Sequence, residues 1–185
     1  VAYGGMHGEG ERGDQVRAAL AAERIELLQP VFGGCDTGLV VALVEADGER
    51  TFVTAPGAEA RLDAAALARV QPRPDDVVYL TGYSLAHASN CAALVDWVPG
   101  VGESVVFFDP GPLVASLPAE ALEVVLARAD WVSANAVEAT ALTGQSDPAD
   151  AAAALRGRTR GGVVVRCGPD GCVVALPGAD PVVVP

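Results

Sequence analysis

The chain contains no lysine; all twelve of its basic residues are arginine. A Walker-type phosphate-binding lysine, a Schiff-base lysine and a lysine general base are therefore excluded within these 185 residues. A nucleotide site built from this chain must use backbone N–H groups, arginine or a metal. Long apolar runs are also missing, none approaching the ~18 residues that span a bilayer. The first residues, Val1-Ala2-Tyr3-Gly4-Gly5, lack the basic start and apolar stretch of a signal peptide. The expectation is a cytoplasmic protein. Cys35, Cys91, Cys167 and Cys172 form no C-x-x-C pair, so neither a zinc site nor a disulfide framework is indicated. Cys167 and Cys172 flank a tight turn, and small buried hydrophobes are the expected role of these two. Positive charge is scarce, with 24 acidic residues against the twelve arginines and a net charge of −12. Such a surface repels phosphate backbones and anionic lipid, which argues against nucleic-acid and membrane partners.

What is present is a regular alternation of helices and apolar strands. From Leu62 it runs helix 62–70, strand 76–81, helix 86–98, strand 104–108, helix 118–127, strand 131–134, helix 136–142, helix 148–155 and strand 162–167. Strands without polar alternation, separated by helices, predict a parallel sheet covered on both faces. Before this series, 37–45 and 50–54 read as strands joined at Ala46-Asp47-Gly48-Glu49, and Asp-Gly is a strong hairpin signal. That hairpin breaks the alternation and fits either a flap or an antiparallel edge of the main sheet. Gly168-Pro169-Asp170-Gly171 predicts a tight turn between strands 163–167 and 172–176. Val182-Val183-Val184-Pro185 reads as a strand in progress, and both ends of the sequence look cut.

The segment Asp130 to Gly144, D-W-V-S-A-N-A-V-E-A-T-A-L-T-G, organises the rest. A buried strand meets a helix at Asn135, and Glu138 follows three residues later. The plain reading of Asn-x-x-Glu is a helix capping box, worth ~1 kcal/mol and implying no chemistry. The alternative is a ligand site, because the pair falls at the carboxyl end of a parallel strand, where open α/β sheets bind ligands. Thr81-Gly82-Tyr83 and Asp109-Pro110-Gly111-Pro112 mark two more strand ends of the same kind. Elsewhere, Gly8-Glu9-Gly10-Glu11-Arg12-Gly13 fits the G-x-G-x-x-G dinucleotide pattern. Glu9, Glu11 and Asp14 would set three carboxylates around a pyrophosphate, and the ribose-binding acid would have to be Asp36, among turn residues. A Gly-rich turn before a surface helix is the better account.

Five stretches, taken in order, resemble the ribokinase family of carbohydrate kinases, also called the PfkB family. They are T-G-L-V-V-A-L-V-E-A-D-G-E-R-T-F with P-G-A (37–58), D-V-V-Y-L-T-G-Y-S-L (76–85), V-V-F-F-D-P-G-P-L (105–113), A-D-W-V-S-A-N-A-V-E-A-T-A-L-T-G (129–144) and V-V-V-R-C-G-P-D-G-C-V-V (163–174). The resemblance implies a three-layer α/β/α, ribokinase-like fold with a mostly parallel sheet and a small β-lid hairpin. Residues 1–185 would form one incomplete domain with the lid, about 37–54, inserted. It implies ATP as phosphoryl donor, Mg²⁺, and a sugar or sugar-like alcohol as acceptor. Asn135 looks like the family's phosphate-side Asn and Glu138 like its Mg²⁺ ligand. Arg166, Cys167, Gly168, Pro169, Asp170 and Gly171 look like the stretch bordering the nucleotide, although the family often has Thr or Lys at the position of Arg166. Gly82 and Tyr83 fall where the family approaches its substrate. A homodimer paired through the lid is one arrangement the family allows.

Two family motifs are not in these residues: the upstream Gly-Gly-x-x-x-Asn sugar site and the downstream Asp-Thr-x-Gly-Ala-Gly-Asp, which carries the anion hole and the base. No residue here is a candidate for the general base. The competing readings are a non-catalytic nucleotide- or sugar-binding remnant, and an NAD-dependent oxidoreductase using Gly8 to Gly13.

Overall fold

The computed structural model describes residues 1–48 and 50–185. These form two compact units, Val1–Val70 and Gln71–Pro185. In the first unit, β1 (Ala2–Tyr3) and β2 (Glu26–Leu27) pair in parallel and are connected by α1 (Glu11–Ala22). The first turn of this helix is capped from a distance. The Asp36 carboxylate accepts the N–H groups of Arg12 at 3.1 Å and Gly13 at 2.8 Å. Those donors have no partner within the helix. Desolvation pushes the Asp36 carboxyl up. The N–H groups of Gly13, Arg12 and Thr37 and the Arg12 charge outweigh it and hold the group below the usual range. Gly13 is required by contact, since a side chain there would run into the Gly8 carbonyl.

The G-x-G-x-x-G spacing is thus a product of close backbone packing. The place at the helix N-terminus that a pyrophosphate would take is filled by Asp36, the residue an oxidoreductase would have needed for ribose.

Next come β3 (Leu39–Val44) and β4 (Arg50–Ala55), which form their own two-stranded antiparallel sheet, in register Val40↔Thr54 and Ala42↔Phe52. The hairpin is therefore not an edge of the main sheet. Every residue of both strands is exposed, including Leu39, Val41, Leu43, Phe52 and Val53. Apolar residues on both faces of an isolated hairpin give it little stability in water. The unit closes with α2 (Ala64–Leu67), capped by Asp63 accepting the Ala66 N–H at 2.8 Å. It is shorter than the 62–70 expected. Pro72 and Pro74 bias Gln71 and Arg73 toward extended backbone, so no helix continues through them.

The second unit contains β5 (Val77–Thr81), α3 (Gly82–Leu85), α4 (Ala88–Trp97), β6 (Val105–Asp109), α5 (Ala119–Arg128), β7 (Trp131–Asn135), α6 (Ala136–Thr143), α7 (Pro148–Arg156), β8 (Gly162–Arg166), β9 (Cys172–Ala175) and β10 (Val182–Val184). The sheet order is β10-β9-β8-β7-β6-β5; β5 to β8 are parallel, and β9 and β10 are antiparallel. One face is the core. Val106, Phe108, Val132, Ala134, Val163 and Val165 are fully buried, together with Leu126 of α5 and Leu155 of α7.

The other face departs from the expectation of a sheet covered on both sides. Alternation puts Val77, Tyr79 and Val105 on it, all exposed, with Phe107, Val164 and Val174 half-buried. β10 is exposed throughout. We therefore expect these 185 residues, prepared alone at neutral pH, to enhance the fluorescence of a hydrophobic dye in the native state. A native protein that leaves the dye dark would mean that these faces are covered, for example by self-association.

At the amino-terminal end of the sheet, Arg128 ties three segments together. It donates to Asp130 Oδ2 at 2.7 Å, to the Gly102 carbonyl at 2.8 Å and to the Ser104 carbonyl at 2.7 Å. Asp130 Oδ2 also accepts the Val106 N–H at 2.8 Å. This network fixes where β6 and β7 begin relative to each other.

Candidate active site

β7 brings Asn135 to the carboxyl edge of the sheet, and α6 starts at once. The Asn135 Oδ1 accepts the Glu138 N–H at 2.8 Å, and the Asn135 N–H donates to Glu138 Oε2 at 2.8 Å. The reciprocal capping box read from the sequence is therefore present. It does not use all of Glu138. The side chain is buried, only 5% exposed, and its Oε2 also faces the Arg166 guanidinium at 3.5 Å.

Arg166 stands at the end of β8, paired with Asn135 in the ladder. Its Nη1 lies 3.4 Å from Asp109 Oδ2 at the end of β6 and donates to Ser133 Oγ. Asp109 keeps its orientation by accepting the Gly111 N–H at 3.1 Å through Oδ1. Five polar residues from three adjacent parallel strands and one helix start thus meet at one edge. Two carboxylates share one guanidinium there, which leaves one negative charge in excess.

Of these five, Asp109 and Ser133 were not singled out by sequence reasoning as site residues, although Asp109 was noted as a strand end. Ser133 carried a readable signal: a lone hydroxyl within the apolar run Trp131-Val132-Ser133-Ala134. By pleat alternation it shares a face with Asn135, away from the packed core.

The remaining expected residues lie at the same edge of the sheet. Cys167 to Gly171 form the β8–β9 turn, closed by Cys167 N–H to the Gly171 carbonyl at 2.8 Å; Gly168, Pro169 and Asp170 are exposed. Gly82 begins α3 directly after β5. A Cβ there would run into the Pro110 carbonyl, so packing against the β6 loop is sufficient reason for glycine at this position. Tyr83 is 48% exposed, and its ring lies beside Gly111. A depression of about 670 Å³ lies elsewhere, between Ala153–Gly157 and Ala175–Pro181. Ala175 pairs with Val163, at the opposite ends of the strands, so this hollow is separate from the polar cluster. Among the described residues no group of three or more His, Cys, Asp or Glu stands ready to cage a metal, and no helix is long and apolar enough to cross a membrane.

Comparison with known proteins decides the family. The model of the pfkB family of carbohydrate kinases matches residues 1–183. The chain belongs to that family. A curated relative, the uncharacterized sugar kinase YegV of Escherichia coli K12, is 36% identical over 134 residues, covering 71% of this chain and 40% of its own length. A PfkB protein from Polaromonas sp. JS666 superposes with a TM-score of 0.81 at 25% identity, covering all of this chain and 66% of that one. Adenosine kinase from Sinorhizobium meliloti gives 0.84 at 22% identity, covering 99% and 57%. The fold is thus ribokinase-like, of the three-layer α/β class with a mostly parallel sheet, as the sequence stretches implied, although these residues leave one face of the sheet open. The chain spans well under two thirds of the curated relative's length and somewhat less than two thirds of these structures'.

Proposed function

We propose that this chain is part of an ATP-dependent kinase whose acceptor is a hydroxyl of a sugar or sugar-like alcohol, and that it supplies the metal carboxylate and part of the nucleotide positioning. The observation that carries this reading is the meeting of Asp109, Ser133, Asn135, Glu138 and Arg166 at one strand edge, at the position of the family's Asn-x-x-Glu motif. Residues 1–185 make up one incomplete ribokinase-like domain with the lid, about 37–54, inserted, and the protein works in the cytoplasm.

Phosphoryl transfer is chiefly a matter of positioning and charge neutralisation, with a base for the attacking hydroxyl. Asn135 orients the nucleotide phosphates, and the turn from Arg166 to Gly171 borders the nucleotide. Gly82 and Tyr83 approach the acceptor. The residues fit Mg²⁺. That ion is usually held by one or two carboxylates plus substrate phosphates and water, and Glu138 with Asp109 supplies a donor set of that kind. Bound there, it would neutralise charge on the transferring phosphoryl group.

The hairpin of β3 and β4 is the lid. Its exposed apolar residues support a role that covers the acceptor and excludes water, and they equally suit pairing between two copies. The base lies outside these 185 residues.

A panel of sugars and nucleosides assayed for ADP production with the full-length protein tests the reading; no acceptor-dependent ADP from any of them counts against it. The 185-residue chain alone is expected to give none, because it contains neither the anion-hole motif nor the base. Acceptor-dependent ADP from that chain well above a matched blank would show that a base is present here after all.

A further inference from the structure

We propose that Arg166 is an internal counter-ion that opposes metal at Glu138 in the nucleotide-free protein, so that nucleotide strengthens divalent-cation binding. The proposal rests on reading Glu138 as a metal ligand. Arg166 approaches Glu138 Oε2 at 3.5 Å and Asp109 Oδ2 at 3.4 Å, and donates to Ser133 Oγ. Glu138 Oε2 also accepts the Asn135 N–H at 2.8 Å. A cation at this carboxylate therefore meets the guanidinium charge a few ångströms away.

The arrangement is suited to release. Tight guanidinium–carboxylate contacts are about 2.7–2.9 Å, and both contacts here are longer. One cation is divided between two anions, and its side chain is 41% exposed. A polyphosphate offers the fork a denser set of charged oxygens and bidentate geometry. Once Arg166 turns to phosphate, Glu138 and Asp109 face each other without their counter-ion, and a divalent cation is favoured. Nucleotide and metal then strengthen each other's binding by the same factor. Because the chain has no lysine, no lysine of these residues could take over this role.

The test uses Mn²⁺ as the probe, followed by electron paramagnetic resonance on the full-length protein with and without a non-hydrolysable ATP analogue. The native protein should bind Mn²⁺ weakly alone and much more tightly with the analogue. Arg166→Met should tighten Mn²⁺ without nucleotide by about tenfold or more, since a unit positive charge a few ångströms from the ligand is removed, and the further gain from the analogue should be smaller than in the native protein, its phosphates still contributing ligands. Ser133→Ala removes one anchor of the guanidinium and should tighten Mn²⁺ by about threefold on the same ground. It decides the matter if Arg166→Met does not melt cooperatively. Mn²⁺ affinity in the folded variants equal to or below the native value overturns the proposal. If the native protein binds Mn²⁺ with the analogue, and Glu138→Gln abolishes this while Arg166→Met changes nothing, Glu138 remains the ligand and only the counter-ion idea is lost. If the native protein binds no Mn²⁺ even with the analogue, both are lost.

Discussion

Replacing Glu138 by Gln in the full-length protein is expected to lower turnover about tenfold to a hundredfold and to raise the Mg²⁺ needed for half-maximal rate, the range seen when groups supporting a metal site are lost. The melting temperature should hardly move. Two demands on this side chain are separated by the change. The cap needs an acceptor for the Asn135 N–H, now 2.8 Å from Glu138 Oε2, and a Gln carbonyl supplies one. A hard divalent ion that keeps several waters needs charged oxygen, and a neutral amide holds it much less well. The contact with Arg166 is also lost. At 3.5 Å, with Arg166 half-exposed and still facing Asp109, that contact is worth under about 1 kcal/mol. Asn135→Ala should behave differently: it removes the acceptor for the Glu138 N–H, costs about 1 kcal/mol of stability through the cap, and weakens ATP. Native turnover and Mg²⁺ dependence in Glu138→Gln would reduce the motif to a capping box.

The largest effect on stability is expected at Arg128. Its side chain is 8% exposed and satisfies Asp130 and two backbone carbonyls where β6 and β7 begin. Arg128→Met keeps most of the apolar stem and strips all three contacts, leaving Asp130 without its main partner. Breaking a fully buried pair costs about 3–5 kcal/mol. Asp130 is 26% exposed and keeps the Val106 N–H and a distant Arg160, so about 2–3 kcal/mol is the discounted expectation. For a chain of this size that lowers the melting temperature by roughly 5–10 °C.

The pH dependence follows from Asp130. Desolvation raises its carboxyl, but the Val106 N–H, the bond from Arg128 and the charges of Arg128 and Arg160 outweigh it and set it below the usual range. A carboxylate with a depressed folded value contributes stability above its unfolded pKa, near 4, and loses that contribution as pH falls through the lower folded value. Native protein should therefore lose more stability than Asp130→Asn as the pH falls below about 4. Parallel losses in the two proteins would remove Asp130 from the acid response.

What could be read from one dimension was whatever depends on neighbours a few residues apart. The helix–strand alternation, the Asp-Gly hairpin, the turn at Gly168–Gly171 and the Asn135–Glu138 box all rest on local periodicity or on an i to i+3 reach. The lack of lysine excluded chemistry outright. Charge crowding around Gly8 to Gly13 weighed against a dinucleotide loop without removing it, and the reason for the glycines was not readable, because Asp36 reaches back to the N–H groups of Gly13 and Arg12 across 23 and 24 residues of chain. The grouping of Arg166 with Asp109 and Ser133, 57 and 33 residues away, was likewise set only by tertiary structure. It depends on β6, β7 and β8 lying side by side in that order, and on a pleat parity that turns all three side chains to the same face. Which face of the sheet stays open was hidden for a related reason. Uniformly apolar strands state that burial is favourable and leave unsaid which side receives it, and here the helices of the second unit pack onto the side of Val106, Val132 and Val163.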